Sequence, residues 1–221
     1  MDKLSSLQNF LQSFDLHAFL ITVFSAAAAL FCLTVHELSH GAVAYALGDP
    51  TAKDEGRLTL NPIKHIDPLG LLLMITAHVG WAKPVPVDMH YFKHPKRGMA
   101  LTALAGPASN FLLAWVFLLL ASLLLRVLSL SAAWQLYVLI FLVNAALLSI
   151  GLGLFNLIPI PPLDGSKVLA ALLPDRAYIK LMRYERYGLL VLLALSYFGA
   201  TDGFIVNGIS AVFSALVNLF Y

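Results

Sequence analysis

Charge is what this sequence has least of. Lys, Arg, Asp and Glu make up 12% of its 221 residues, against roughly 25% in an ordinary globular chain. That excludes a separate soluble domain of any size. With 60% hydrophobic residues and a mean hydropathy of +0.83, the chain reads as an integral membrane protein. The net charge is only +2 and is spread along the chain, which argues against a nucleic-acid partner. Cys32 is the single cysteine, so no intrachain disulfide can form. Inside an apolar run it reads as a small buried hydrophobe. Met1 to Asp15 is polar and mixed and lacks the basic start of a signal peptide. The first hydrophobic helix is therefore expected to be retained as a spanning segment.

What is present is a set of long uncharged runs. Ala18 to Val35 carries no charge, nor does Met99 to Leu125, nor does Val127 to Leu163. The first predicts a helix over 16–47, ended by Gly48-Asp49-Pro50. The second predicts a helix with a kink or a late start at Gly106-Pro107. The third predicts a spanning helix over 134–154, then a Pro-rich unwound exit from Asn156 to Gly165. A last pair of apolar segments fills 178–221. Residues 4–14 give a weak interfacial-helix signal. Residues 68–82 are apolar but too short to span, which suits a re-entrant segment. Pro84 and Pro86 favour extended backbone after it. The expected fold is an all-α polytopic membrane protein of about five transmembrane helices plus a short re-entrant or β-hairpin segment. It is expected to form a single membrane-embedded domain over 1–221, with a core at 16–165 and a C-terminal helical pair at 178–221.

Basic residues set the orientation. The loop 49–98 carries Lys53, Arg57, Lys64, Lys83, Lys93, Lys96 and Arg97, and the loop 164–187 carries Lys167, Arg176, Lys180, Arg183 and Arg186. Only Lys3 and Arg126 fall on the other side. The positive-inside rule then puts both loops in the cytoplasm. The expected location is the plasma membrane, multi-pass, with the chemistry toward the cytoplasmic side.

The chemistry sits in His36-Glu37-Leu38-Ser39-His40. On a helix, residues four apart share a face. Two imidazoles so placed can share a Zn²⁺ ion, and the adjacent Glu37 can act as base toward water. A catalytic zinc needs a third protein ligand. Ala46 stands where a metzincin would have its third histidine. Glu55 and Glu185 lie in polar loops, where a solvated carboxylate is the ordinary reading. Asp164 ends the long uncharged stretch, where an acid is costly unless paired or bound to a metal; Asp67 is the runner-up. Asp164 could also cap the helix that follows it. Asn110, Asn144 and Asn156 can serve as interhelical hydrogen-bonding groups. His65 reads as a loop-shaping residue, and His90 and His94 as surface histidines.

Three motifs carry a resemblance: His36 to His40, Gly106-Pro107-Ala108-Ser109-Asn110, and Asn156-Leu157-Ile158-Pro159-Ile160-Pro161-Pro162-Leu163-Asp164-Gly165. In this order they resemble the site-2 protease family of intramembrane zinc metalloproteases, in its compact form without a PDZ domain. The resemblance implies zinc on His36, His40 and Asp164, Glu37 as base, and Asn156 as a substrate or oxyanion contact. It implies a β-hairpin around Gly80 to Val87, and cleavage of peptide bonds in or near transmembrane segments. The expected partners are a transmembrane protein substrate and the lipid bilayer, with a homo-oligomer open. Two other classes stay open: an idle zinc-containing membrane adaptor or chaperone, and a divalent-metal transporter.

Overall fold

The computed structural model describes residues 15–68, 70, 82–129 and 132–220. The interfacial helix expected at 4–14 and nearly all of the apolar segment 68–82 lie outside these residues. Helix α1 runs Leu16–Ala46. The Asp15 carboxylate caps its start, accepting from the backbone N–H groups of His17 at 2.9 Å and Ala18 at 3.1 Å. It stops where Gly48 turns to a φ of 106°, a conformation that favours glycine. The next residue, Asp49, is fully buried. Its carboxylate accepts from the N–H of Thr51 at 2.9 Å and the N–H of Asp88 at 2.7 Å. The end of α1 is thereby tied to a loop almost forty residues on. Helix α2 (Thr51–Asp54) and a 3₁₀ turn at Pro62–His65 follow.

From 82 the chain is extended, touching the earlier loop through an isolated antiparallel bridge between Ile66 and Ala82. A 3₁₀ turn at Met89–Tyr91 leads into helix α3, Pro95–Val127. This helix neither starts late nor ends at Pro107; it runs through it. Pro107 lacks the N–H that would bond back to the Ala103 carbonyl. Nearby carbonyls find side-chain donors instead: Thr102 O lies 2.7 Å from the His40 ring, and Gly106 O accepts from the Ser109 hydroxyl at 2.7 Å. Side-chain donors of this kind make prolines tolerable in membrane helices.

Helix α4 spans Ala133–Asn156, and the chain then turns without helix until α5, Asp164–Ala171. Helices α6 (Asp175–Arg183), α7 (Glu185–Tyr197) and α8 (Asp202–Val217) complete the order. Among the described residues three helices, α1, α3 and α4, are long and apolar enough to cross a membrane. The 24 residues of α4 reach about 36 Å at about 1.5 Å per residue, enough for a hydrocarbon core of roughly 30 Å. α7 and α8 stand where the final pair is expected, and both are shorter.

The three long helices pack through small residues: Ala28 and Cys32 of α1, Ala114 and Ala121 of α3, Ala145 and Ala146 of α4 are all buried. Small side chains allow close approach where lipid removes the hydrophobic drive between helices. Large ones such as Phe19, Leu112 and Trp134 are exposed, as a lipid-facing surface requires. α8 lays Ile209, Val212 and Phe213 on this cluster. The short α5 packs against α3, and Asp164 at its start lies against the two histidines of α1.

Replacing Asp49 with Ala leaves the part-buried N–H groups of Thr51 and Asp88 without their acceptor. It should lower stability by about 2–4 kcal/mol, read as a fall in the thermal midpoint in detergent. Asp49→Asn, which keeps an acceptor oxygen, should cost less.

Candidate metal centre and active site

His36, Glu37 and His40 are buried on one stretch of α1, and Asp164, from the first turn of α5, is buried against them. The Nε2 atoms of His36 and His40 lie 3.0 Å apart. Asp164 Oδ2 sits 3.2 Å from each. These ligand-capable atoms of the three side chains all fall within 4.8 Å of one another.

The other ring nitrogens explain why these atoms can converge. His40 Nδ1 is 2.7 Å from the Thr102 carbonyl oxygen. A carbonyl only accepts, so Nδ1 carries the proton, and the neutral ring offers a lone pair at Nε2. His36 Nδ1 is 2.9 Å from the Asn110 side-chain amide. That amide can present oxygen or nitrogen; with its oxygen accepting from Nδ1–H, the His36 Nε2 lone pair also points inward. Asp164 Oδ2 is buried and makes no hydrogen bond of its own. Two imidazole lone pairs and one orphaned carboxylate oxygen, facing one another in a buried site, make a donor set that fits a zinc ion.

Glycine makes room for this arrangement. A Cβ on Gly106 would stand 2.5 Å from His40 Nε2 and 2.6 Å from His36 Cε1, so α3 can approach the rings only there. A Cβ on Gly165 would collide with the Leu157 carbonyl, so the turn after α4 closes tightly only with glycine behind Asp164.

A cavity of about 190 Å³ opens onto the cluster, lined by His36, Glu37, His40, Asp164, Val85 and Asn156 among others. The Glu37 Oε2 atom accepts from the Val85 N–H at 2.9 Å. Asn156 has one amide hydrogen engaged with the Leu152 carbonyl at 3.0 Å, leaving the second. Lys167 also lines the cavity, with its Nζ 4.0 Å from Asp164 Oδ1.

The remaining candidates lie elsewhere. Asp67 accepts from the Gly70 N–H at 2.8 Å and is not in the cluster. Glu55 is exposed. His65 is buried 2.9 Å from the Thr59 carbonyl, and His90 bonds exposed Asp88. The sequence reading undervalued Asn110, whose signal was its place three residues after Gly106-Pro107. It gave no hint of the Thr102 carbonyl, because a backbone acceptor leaves no residue-type signature.

The sequence model of Peptidase family M50 matches residues 122–198. The chain is 44% identical over 163 residues to "Putative zinc metalloprotease YwhC" of Bacillus subtilis, covering 73% of this chain and 74% of that protein. It belongs to peptidase family M50. "Putative zinc metalloprotease Rip2" of Mycolicibacterium smegmatis is 32% identical over 178 residues, 76% of this chain and 64% of that protein. Rip2 of Mycobacterium tuberculosis is 31% identical over 180 residues, 79% and 67%. No solved structure matches. This M50 member is an intramembrane zinc metalloprotease, and Zn²⁺ is its cofactor.

Substitutions at two positions test the centre without any substrate. Gly106→Ala should displace the imidazoles and weaken zinc binding by about 10–100-fold, measured by competition with a chromophoric chelator. Asn110→Leu should do the same, while Asn110→Asp, an unambiguous acceptor for His36 Nδ1–H, should retain the metal.

Proposed function

We propose that His36, His40 and Asp164 hold the zinc ion and that Glu37 is the base in peptide-bond hydrolysis. The observation that carries this is the convergence of two Nε2 atoms and Asp164 Oδ2 within 4.8 Å, beside a cavity that also takes in Glu37. Zinc bound there supplies a Lewis acid for the scissile carbonyl and acidifies a water molecule. Glu37 has Oε2 held by the Val85 N–H, which leaves Oε1 to take a proton from the attacking water and pass it to the departing amine. Asn156 offers its second amide hydrogen to the oxygen on which negative charge develops. The adaptor and transporter readings are not favoured, because the acid and histidines converge at one point and Glu37 is retained beside them.

The substrate is a transmembrane protein, cut in or near a membrane-spanning segment. The cavity is about 190 Å³, whereas a helix is about 10–12 Å across with its side chains, so the scissile stretch enters unwound. The extended segment 82–88 is the neighbour along which it can lie. Membrane-held regulatory proteins and remnant signal peptides are the substrate classes that suit such a site. The whole of 1–221 acts as one membrane-embedded domain in the plasma membrane. Its active site lies toward the cytoplasm, on the side of the two basic loops.

Purified protein in liposomes, given a transmembrane substrate, tests this. Glu37→Gln should bind zinc as the wild type does and cleave at least about 100-fold more slowly. Chelation should stop the wild type and added zinc restore it. Equal cleavage by both proteins would sink the assignment of the base.

A further inference from the structure

Arg57 is a buried cation that the chemistry above does not use. It is 4% exposed, and among the described residues it forms no ion pair with a carboxylate. Its Nε has no hydrogen-bond partner. Burying a guanidinium without an anion beside it is costly, so what it does touch matters. Its Nη2 donates to the carbonyl oxygen of Lys83 at 2.7 Å and to that of Pro84 at 3.2 Å.

The Pro84 carbonyl and the Val85 N–H are the two ends of one peptide group. The N–H end donates to Glu37 Oε2 at 2.9 Å. A single peptide plane therefore stands between a buried guanidinium and a buried carboxylate, hydrogen-bonded to each. A cation at the oxygen end polarises the amide and strengthens the N–H as a donor. The flanks hold the plane in place. The Lys83 N–H donates to the His65 carbonyl at 2.9 Å. A Cβ on Gly41, one turn beyond Glu37, would stand 3.1 Å from Val85 Cγ1 and 2.7 Å from Leu58 Cδ2; glycine there lets Val85 and the Arg57 loop lie directly on α1.

We infer that Arg57 is a positioning residue for Glu37, acting through the Pro84–Val85 peptide group. It pins that peptide so that Val85 holds one carboxylate oxygen and the other faces the cavity. This rests on the reading of Glu37 as the base. Both bonds come from the one Nη2 atom; a lysine ammonium ends one atom short of that position on a flexible stem, so it cannot hold the two successive carbonyls in the same geometry. Arg57 touches no proposed ligand and does not line the cavity, so it should alter turnover without altering metal binding.

The experiment compares wild type, Arg57→Lys, Arg57→Met and Glu37→Gln, each as full-length protein in liposomes with a transmembrane substrate. Arg57→Lys keeps the charge and the alkyl stem, and it decides the matter if Arg57→Met does not fold. Arg57→Lys should bind zinc with wild-type affinity and show KM within about twofold. Its kcat should fall about 10–100-fold, the scale on which small misplacement of a reacting group acts. Hydrogen exchange at the Val85 amide, measured without substrate, should quicken in Arg57→Lys. Added guanidinium ion should restore part of the turnover of folded Arg57→Met. A merely structural Arg57 would instead lose zinc and thermal stability in step with activity. The inference is overturned if Arg57→Lys turns over within twofold of wild type, if its loss lies in KM or zinc affinity, or if Val85 exchange is unchanged. Undiminished cleavage by Glu37→Gln would overturn the base itself, an outcome separate from these.

Discussion

No water competes for hydrogen bonds in the hydrocarbon of a bilayer, so a polar atom placed there must find its partner in the protein. That constraint accounts for most of what surrounds the histidines. The Thr102 carbonyl engages the outer nitrogen of His40, the Asn110 amide engages that of His36, and the Val85 N–H holds Glu37. Asn110 is in turn held through its own backbone, whose carbonyl accepts from the Ser149 hydroxyl at 2.9 Å. Helices α1, α3 and α4 are thus joined by polar contacts at the level where apolar packing alone would leave their rotation loose. At the centre, Asp164 Oδ2 is left without a hydrogen bond and faces the two inward ring nitrogens. Their remaining valence faces the place where a cation fits.

Much of this was legible in the sequence, for identifiable reasons. The i,i+4 spacing of His36 and His40 is a statement about helix geometry, and it survives any error in helix ends. Asp164 was legible by its cost, as an acid closing a long uncharged stretch. Hydropathy located the long helices but not the polar first turn of α3. The apolar run beginning at Met99 hid four helical residues, Pro95 to Gly98, because composition reports solvent preference rather than backbone geometry. Gly106-Pro107 was read for what proline does to a helix. The structure gives the glycine the larger role, as the gap through which two imidazoles pass.

Other parts of the site were out of reach for a different reason. Thr102 and Val85 act through backbone atoms that every residue possesses, so nothing in their identity announces them. Arg57 looked like one of seven basic residues in the loop 49–98, counted only for its sign. Its burial follows from the fold of the loop onto Gly41. Charge counting and site geometry therefore draw on the same residue for unrelated ends.

The donor set is split across the chain: two members on α1 and the third on α5, with the whole of α3 and α4 between them. During synthesis at about 5–20 residues per second, the stretch from His40 to Asp164 takes roughly 6–25 s to appear. Throughout that interval the nascent chain holds Glu37 and two imidazoles without Asp164, the third member of the cluster. The order of the motifs along the chain works as a delay: the cluster can close only once α5 has been made, with α6 to α8 still to follow.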